Sequence, residues 1–330
     1  MRIDRRRFLA RAASLVASGL ALRDVALRQA IASGDPSPSA NTPLREANAS
    51  SAPPDSPGGA PDLVIAKGPP KDATRRALDA LGGIGRFVHP GETVVLKPNA
   101  GFDAPPGWGA TTHPEVVSAL VESCLDAGAR RVLVLDHTLH PAERCFARSG
   151  IAEAVAPFAK AKLVSLDDRA AYTEVPVPMG KALRKTEIPI AVAKADVLIN
   201  IPAAKAHSAT RVSLGLKNLM GLVWDRHVFH QEIDLEQGIA DLATVLRPAL
   251  TILSAVTILK TGGPAGPGET EPFGGVIAGI DPVAVDSYGV TLSTWNRETL
   301  RPEQIGYIRH ASEHGIGEWK LDQLRIVELS

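Results

Sequence analysis

Short runs dense in β-branched residues recur along this chain and alternate with helical patterns, which restricts it to a layered α/β architecture. Residues 62–67 (DLVIAK) and 93–97 (TVVLK) read as strands buried on both faces, as parallel strands are. Residues 131–136 (RVLVLD), 162–166, 196–201 (DVLINI), 250–258, 275–278 (GVIA) and 323–327 continue the series. A helix opens at Thr112-His113-Pro114-Glu115, where Thr112 and Glu115 have capping-box spacing and Pro114 is tolerated in the first turn. Val116, Val117, Leu120, Val121 and Cys124 then form one apolar stripe, and Gly128 stops the helix. Further helices are expected at about 213–222, 235–246, from Asp281-Pro282 onward, and 302–313. The expected fold is α/β, a mostly parallel sheet with helices on both faces, either as one large domain or as two fused lobes.

The first 62 residues belong to another class. Arg5-Arg6-Arg7-Phe8-Leu9 matches the twin-arginine export pattern, and 12–22 is an apolar stretch too short to span a bilayer. Ala30-Ile31-Ala32 offers a small-x-small cleavage site, so residues 1–32 read as a signal peptide. That implies passage through the twin-arginine translocation machinery to a periplasmic or extracellular location. Residues 33–62, rich in Pro, Ser, Ala and Gly, bury too little apolar surface to offset their ordering entropy and read as a disordered linker. Residues 63–330 remain for the folded part.

Charge and cysteine usage exclude several functions. Of 36 basic and 36 acidic residues, the signal holds seven arginines and two aspartates, leaving 29 basic against 34 acidic, a net of −5. Such a chain has no attraction for polyanions, so no nucleic-acid partner is expected. Cys124 and Cys145 are the only cysteines. Two cannot hold an iron–sulfur cluster, so none is expected. Cys124 lies on the apolar helix stripe, where a buried thiol is the default; a disulfide to Cys145 is the alternative in an oxidising compartment.

Ligands of open α/β sheets bind beyond the carboxyl ends of the strands, and here those ends are polar. The strand at 93–97 ends in Lys97-Pro98-Asn99, and that at 131–136 in Asp136-His137. The strand at 196–201 leads to Lys205 and His207, and that at 275–278 to Gly279 and Asp281. Four strands are thus expected to feed one rim. His113, in the first turn of a helix, should be a neutral imidazole because the positive end of the dipole disfavours its cation. Asp286 is surrounded by apolar residues and calls for a cationic partner or a metal. Lys217 and Asn218 interrupt an apolar helix, and His227 and His230 have a spacing compatible with metal ligation. The glycine- and proline-rich segment 262–268 can cradle an anion through backbone N–H groups, but lacks the ending of a nucleotide-binding loop.

With these motifs the chain resembles the family catalogued as domain of unknown function 362. Lys97-Pro98-Asn99, Thr112-His113-Pro114, Asp136, Lys205 with His207, Lys217-Asn218 with Gly221, His230, and Asp281-Pro282-Val283-Ala284 with Asp286 occupy that family's motif positions in order. The segment Pro202-Ala203-Ala204-Lys205-Ala206-His207 departs from it, lacking a first lysine and a threonine. Many relatives carry ferredoxin-type cysteine clusters, and this chain has none. The resemblance implies an α/β fold, one shared polar site and a redox-protein neighbourhood, and no established reaction.

These readings converge on an exported enzyme for a small anionic ligand, a carboxylate or phosphate. Lys97, Lys205 and Lys217 would hold the charge, Asn99 and Asn218 would orient it, and His113 and His207 would move protons. His230, Asp281 and Asp286 would hold a divalent metal. The alternative is a non-catalytic protein that binds a ligand or accompanies a redox complex.

Overall fold

The computed structural model describes residues 59–330, so the signal peptide and nearly all of the linker lie outside the described residues. The described linker end is held in place: Asp62 N donates to the Arg325 carbonyl at 2.9 Å, and Arg325 N donates to Asp62 Oδ2 at 2.7 Å.

The chain enters the sheet through β1 (Leu63–Lys67), crosses by α1 (Pro70–Ala80), and continues with β2 (Thr93–Pro98), α2 (Pro114–Asp126) and β3 (Arg131–Asp136). Two short helices, α3 (Ala142–Arg148) and α4 (Ile151–Val155), lead to β4 (Ala161–Ser165). A separate antiparallel pair follows, β5 (Tyr172–Pro176) with β6 (Lys185–Pro189), then α5 (Ile190–Ala193) and β7 (Val197–Ile201). Beyond Pro202 the hairpin β8 (Ala203–His207) and β9 (Arg211–Ser213) runs into α6 (Gly215–Asn218) and later α7 (Leu235–Ala243). The chain closes with β10 (Leu250–Leu259), β11 (Thr270–Glu271), β12 (Gly275–Gly279), α8 (Pro282–Thr291), α9 (Gly306–Glu313) and β13 (Ile326–Leu329).

One eleven-stranded sheet takes all but β5 and β6, in the order β13-β1-β12-β10-β7-β2-β3-β4, with β8 and β11 also paired to β10, and β9 to β8. The run β10-β7-β2-β3-β4 is parallel throughout. Alternate strand residues serve two cores, as the pleat requires. Val94, Leu96, Val132, Val134, Val197 and Ile199 face α1 and α2, whereas Val95, Leu135 and Leu198 join the core built on α7, α8 and α9. Helices therefore cover both faces, and the mostly parallel α/β sheet is as the sequence pattern requires.

Along the eight-strand path from β13 to β4, β12 is the exception, and it changes the site. It pairs antiparallel with both β1 and β10. Lys97, Asn200, Thr251 and Gly279 stand in one row across the sheet. Strands β2 and β7 leave that row toward the rim, whereas β12 leaves it in the opposite direction. Asp281 is consequently carried away from the rim the sequence assigned to it. It caps α8, accepting from the N–H groups of Val283 and Ala284, and also accepts from Glu318 N.

Two other local expectations change. His113, rather than Thr112, caps α2: its Nδ1 accepts from Glu115 N at 3.3 Å. Thr112 Oγ1 instead accepts from Asn99 N and donates to the Ile201 carbonyl, fastening the ends of β2 and β7 together. Asp286 meets backbone amides where the sequence called for a cationic partner. Its Oδ1 and Oδ2 accept from Gly215 N and Leu216 N at 2.6 and 2.9 Å, so the carboxylate starts α6. A Cβ at Gly215 would come within 2.6 Å of that Oδ1.

Burial pushes Asp286 up to about 7 against the pull of those two amides. A folded-state value above the unfolded one means that its contribution is fully present below about pH 4 and is lost as pH rises through about 7. Compared in urea unfolding, the wild type should therefore lose roughly 2–4 kcal/mol of its stability advantage over Asp286→Asn between those limits. A gap that stays constant, or grows with pH, would contradict this assignment.

Candidate functional site

At the carboxyl edge of β2, β3 and β7 lies a cavity of about 350 Å³. Its wall includes Lys97, Asn99, Asp136, Lys205, His207, Lys217, Asn218 and His230, drawn from segments more than 130 residues apart. His137 and Gly221, named from the sequence only for their places beside Asp136 and in the Lys217-Asn218 motif, also line it, as does Arg226, which was not singled out. His113, Asp281 and Asp286 are not part of the wall.

Lys97, next to last in β2, has its side chain 1% exposed. Its Nζ donates to the Pro98 carbonyl at 2.9 Å and to Asn218 Oδ1 at 3.0 Å. Asp136 Oδ1 stands 2.9 Å from the same nitrogen, close enough for an ion pair but without hydrogen-bond alignment. Asp136 Oδ2 accepts from Ala100 N at 2.7 Å. Burial lowers the Lys97 pKa, and Asp136 opposes that shift. The pair closes over Gly221, where any Cβ would collide with both Asp136 Oδ1 and Lys97 Nζ.

Lys205 also has 1% exposure, because β8 turns it inward beneath the loop after β2. Its Nζ donates to Asn99 Oδ1 at 3.0 Å and to the Ala110 carbonyl at 2.6 Å, and lies 4.5 Å from the centre of the Phe102 ring. Burial holds its pKa well below the ordinary lysine value, and Lys97 and Lys217 push the same way. Lys217, on α6, is 8% exposed, and Met220 Sδ at 3.4 Å is the contact its nitrogen makes. Burial, followed by Arg226, brings it down to about 8. Among the described residues, Arg226 donates only from Nη2 to the Thr138 carbonyl at 3.5 Å, leaving the rest of its fork unengaged there.

The asparagines hold the lysines and each other. Asn99 Nδ2 donates to Asn218 Oδ1 at 2.9 Å, and Asn218 Nδ2 donates to Asn200 Oδ1 at 2.9 Å. Asn200 Nδ2 donates to the Gly215 carbonyl at 2.9 Å. Asn99 and Asn218, which the sequence assigned to orienting a ligand, also hold each other and two of the lysines. Asn200, inside the apolar run of β7, gave no sequence signal beyond being the one polar side chain there.

Two histidines show opposite tautomers. His137 Nδ1 lies 3.0 Å from the Val223 carbonyl, which can only accept, so that nitrogen carries the proton and Nε2 keeps a lone pair. The ring stacks on Trp224 at 5.2 Å, and burial lowers its pKa. His207 Nδ1 accepts from Ala209 N and Thr210 N at 3.1 and 3.3 Å, which places its proton on Nε2. Burial, then Lys217, Lys205 and His230, push His207 down to about 3, so it is a neutral donor at any ordinary pH. His137 could have been found from its place directly after Asp136 at a strand end.

A divalent cation fits these residues poorly. Among the described residues no group of three or more His, Cys, Asp or Glu side chains is arranged to hold a metal. Asp281 and Asp286 accept from backbone amides elsewhere, and His230 faces Lys217 and Arg226, which together with burial lower its pKa. His227 turns to Glu232 at 3.6 Å, because Val228–Glu232 is π-helical and a spacing of three does not share its face. The segment 262–268 contributes Pro264 to the wall, which has no N–H to give. Both cysteines are free and buried.

A profile of the domain of unknown function DUF362 matches residues 94–291, which contain every residue of the cavity wall. The chain belongs to that family. Over 56 residues it is 45% identical to the thylakoid-associated protein sll1697 of Synechocystis, a stretch that is 17% of each protein. The lactate racemase apoprotein of Thermoanaerobacterium thermosaccharolyticum aligns with 59% of this chain and 50% of its own, at 14% identity and a TM-score of 0.40.

In this DUF362 chain, Gly221→Ala drives a methyl group into the Lys97–Asp136 contact. The expected result is a loss of about 1–3 kcal/mol in denaturant unfolding, comparable to overpacking elsewhere. An unchanged midpoint would show that the contact has room to move.

Proposed function

We propose that this chain is an exported enzyme whose cavity takes a small organic anion, a carboxylate or a phosphate. One observation supports this above all. Four cationic side chains, Lys97, Lys205, Lys217 and Arg226, meet in a cavity whose wall contains the single carboxylate of Asp136. Holding buried ammonium groups without counter-charge costs on the order of several kcal/mol each, and a bound anion relieves it. Arg226 suits the bidentate grip of a carboxylate or phosphate, and Lys217 adds a point charge.

The alternative is a binding protein with no reaction of its own. The opposite tautomers of His137 and His207 favour the enzyme, since a lone pair and an N–H on one wall can take a proton and steady a developing negative charge. Export is proposed on Arg5-Arg6-Arg7-Phe8-Leu9. No step of this proposal passes through a metal.

Calorimetric titration with sulfate and oxalate should show binding that weakens at least tenfold in Arg226→Gln; affinity unaffected by that change would remove the charge argument. Because the Lys217 cation is lost above about pH 8, affinity should decline as pH rises through that value, and Lys217→Arg should flatten the decline. Export is checked separately. Replacing Arg5 and Arg6 together by lysine should leave the protein in the cytoplasm, and unaltered export would exclude the twin-arginine route.

A further inference from the structure

The geometry points to Lys217 as a nucleophile that forms an imine with the carbonyl carbon of a small 2-oxo carboxylate. This rests on the anion-site proposal and names its substrate class. The three lysines of the cavity look equivalent in sequence and are not equivalent in space. Lys97 is bonded to two oxygens and paired with Asp136. Lys205 is bonded to two oxygens and covers the Phe102 ring. Lys217 lies on the same wall, is nearly as buried, and among the described residues its nitrogen is hydrogen-bonded only to the soft sulfur of Met220 at 3.4 Å. Its lone pair, once deprotonated, is therefore uncommitted.

A lysine desolvated beside other cations is the usual setting for an amine nucleophile, and here burial and Arg226 both favour the neutral form. Arg226, on the same wall, supplies a planar fork for the carboxylate next to the carbonyl. His207 offers Nε2–H to the oxygen that gains charge.

The chemistry balances without another reagent. The Lys217 lone pair forms a C–N bond, and the carbonyl π electrons move to oxygen. A proton passes from nitrogen to that oxygen to give a carbinolamine. The C–O bond then breaks, oxygen departs as water with a second proton first shed by the Lys217 ammonium, and a protonated imine remains.

The test uses the full chain with pyruvate as probe and borohydride as trap, followed by intact mass and peptide mapping. One reduced pyruvate adduct on the peptide carrying Lys217 is expected. It should be absent from Lys217→Arg and reduced more than tenfold in Arg226→Gln and when acetone, which lacks the carboxylate, replaces pyruvate. Wild-type peptide mapping decides the site even where a variant folds poorly. Sulfate binding without an adduct, or an adduct that maps to other lysines, overturns the imine and leaves the anion site standing. Absence of both sulfate binding and adduct brings down the two proposals together.

Discussion

A directional chain of side-chain amides fixes the cavity. Lys205 gives to Asn99, Asn99 to Asn218, Asn218 to Asn200, and Asn200 to the Gly215 carbonyl, while Gly215 N gives to Asp286. Each amide accepts on one side and donates on the other, so none can turn over alone without opposing two like groups. Buried polar networks hold one geometry when every member is satisfied, and are unfavourable otherwise. Through Asn200 of β7, the relay ties together β2, β8 and α6, the elements carrying the three lysines. Asp286 anchors the far end, so a residue outside the cavity helps to set its shape.

The direction of β12 divides the acidic residues from the basic ones. In a wholly parallel sheet Asp281 would have joined the rim and supplied a second carboxylate. Antiparallel pairing with β1 and β10 sends it to cap α8 instead. The rim keeps four cations and one anion, and that imbalance is the physical content of the anion-site proposal.

Much of the frame was legible from the chain alone, because parallel strands buried on both faces must be continuous β-branched runs. The strands at 93–98 and 131–136 were read nearly to the residue. Strands β8 and β9 were not, since Ala203–His207 has no β-branched residue and owes its extended form to pairing with β10. Among the described residues β5 and β6 pair only with each other, and each is cut short by a proline at its last position. The motif lysines and asparagines were visible by type and position. Their roles were not, because whether an amide holds a lysine or touches a ligand depends on neighbours 100 residues distant. The strand runs read alike in either direction, so a local pattern could not show that β12 runs backwards. Asp286 illustrates the same limit. Apolar surroundings correctly signalled a carboxylate that needs a partner, but two backbone N–H groups at a helix start satisfy it as well as a cation does.

The fixed sense of the amide chain restricts what the cavity accepts beyond charge. Asn99 already presents its oxygen to Lys205, so a guest that required the reverse arrangement would have to turn every link as far as Gly215. What the proposed anion would meet is therefore a set of lysines already aimed by that order.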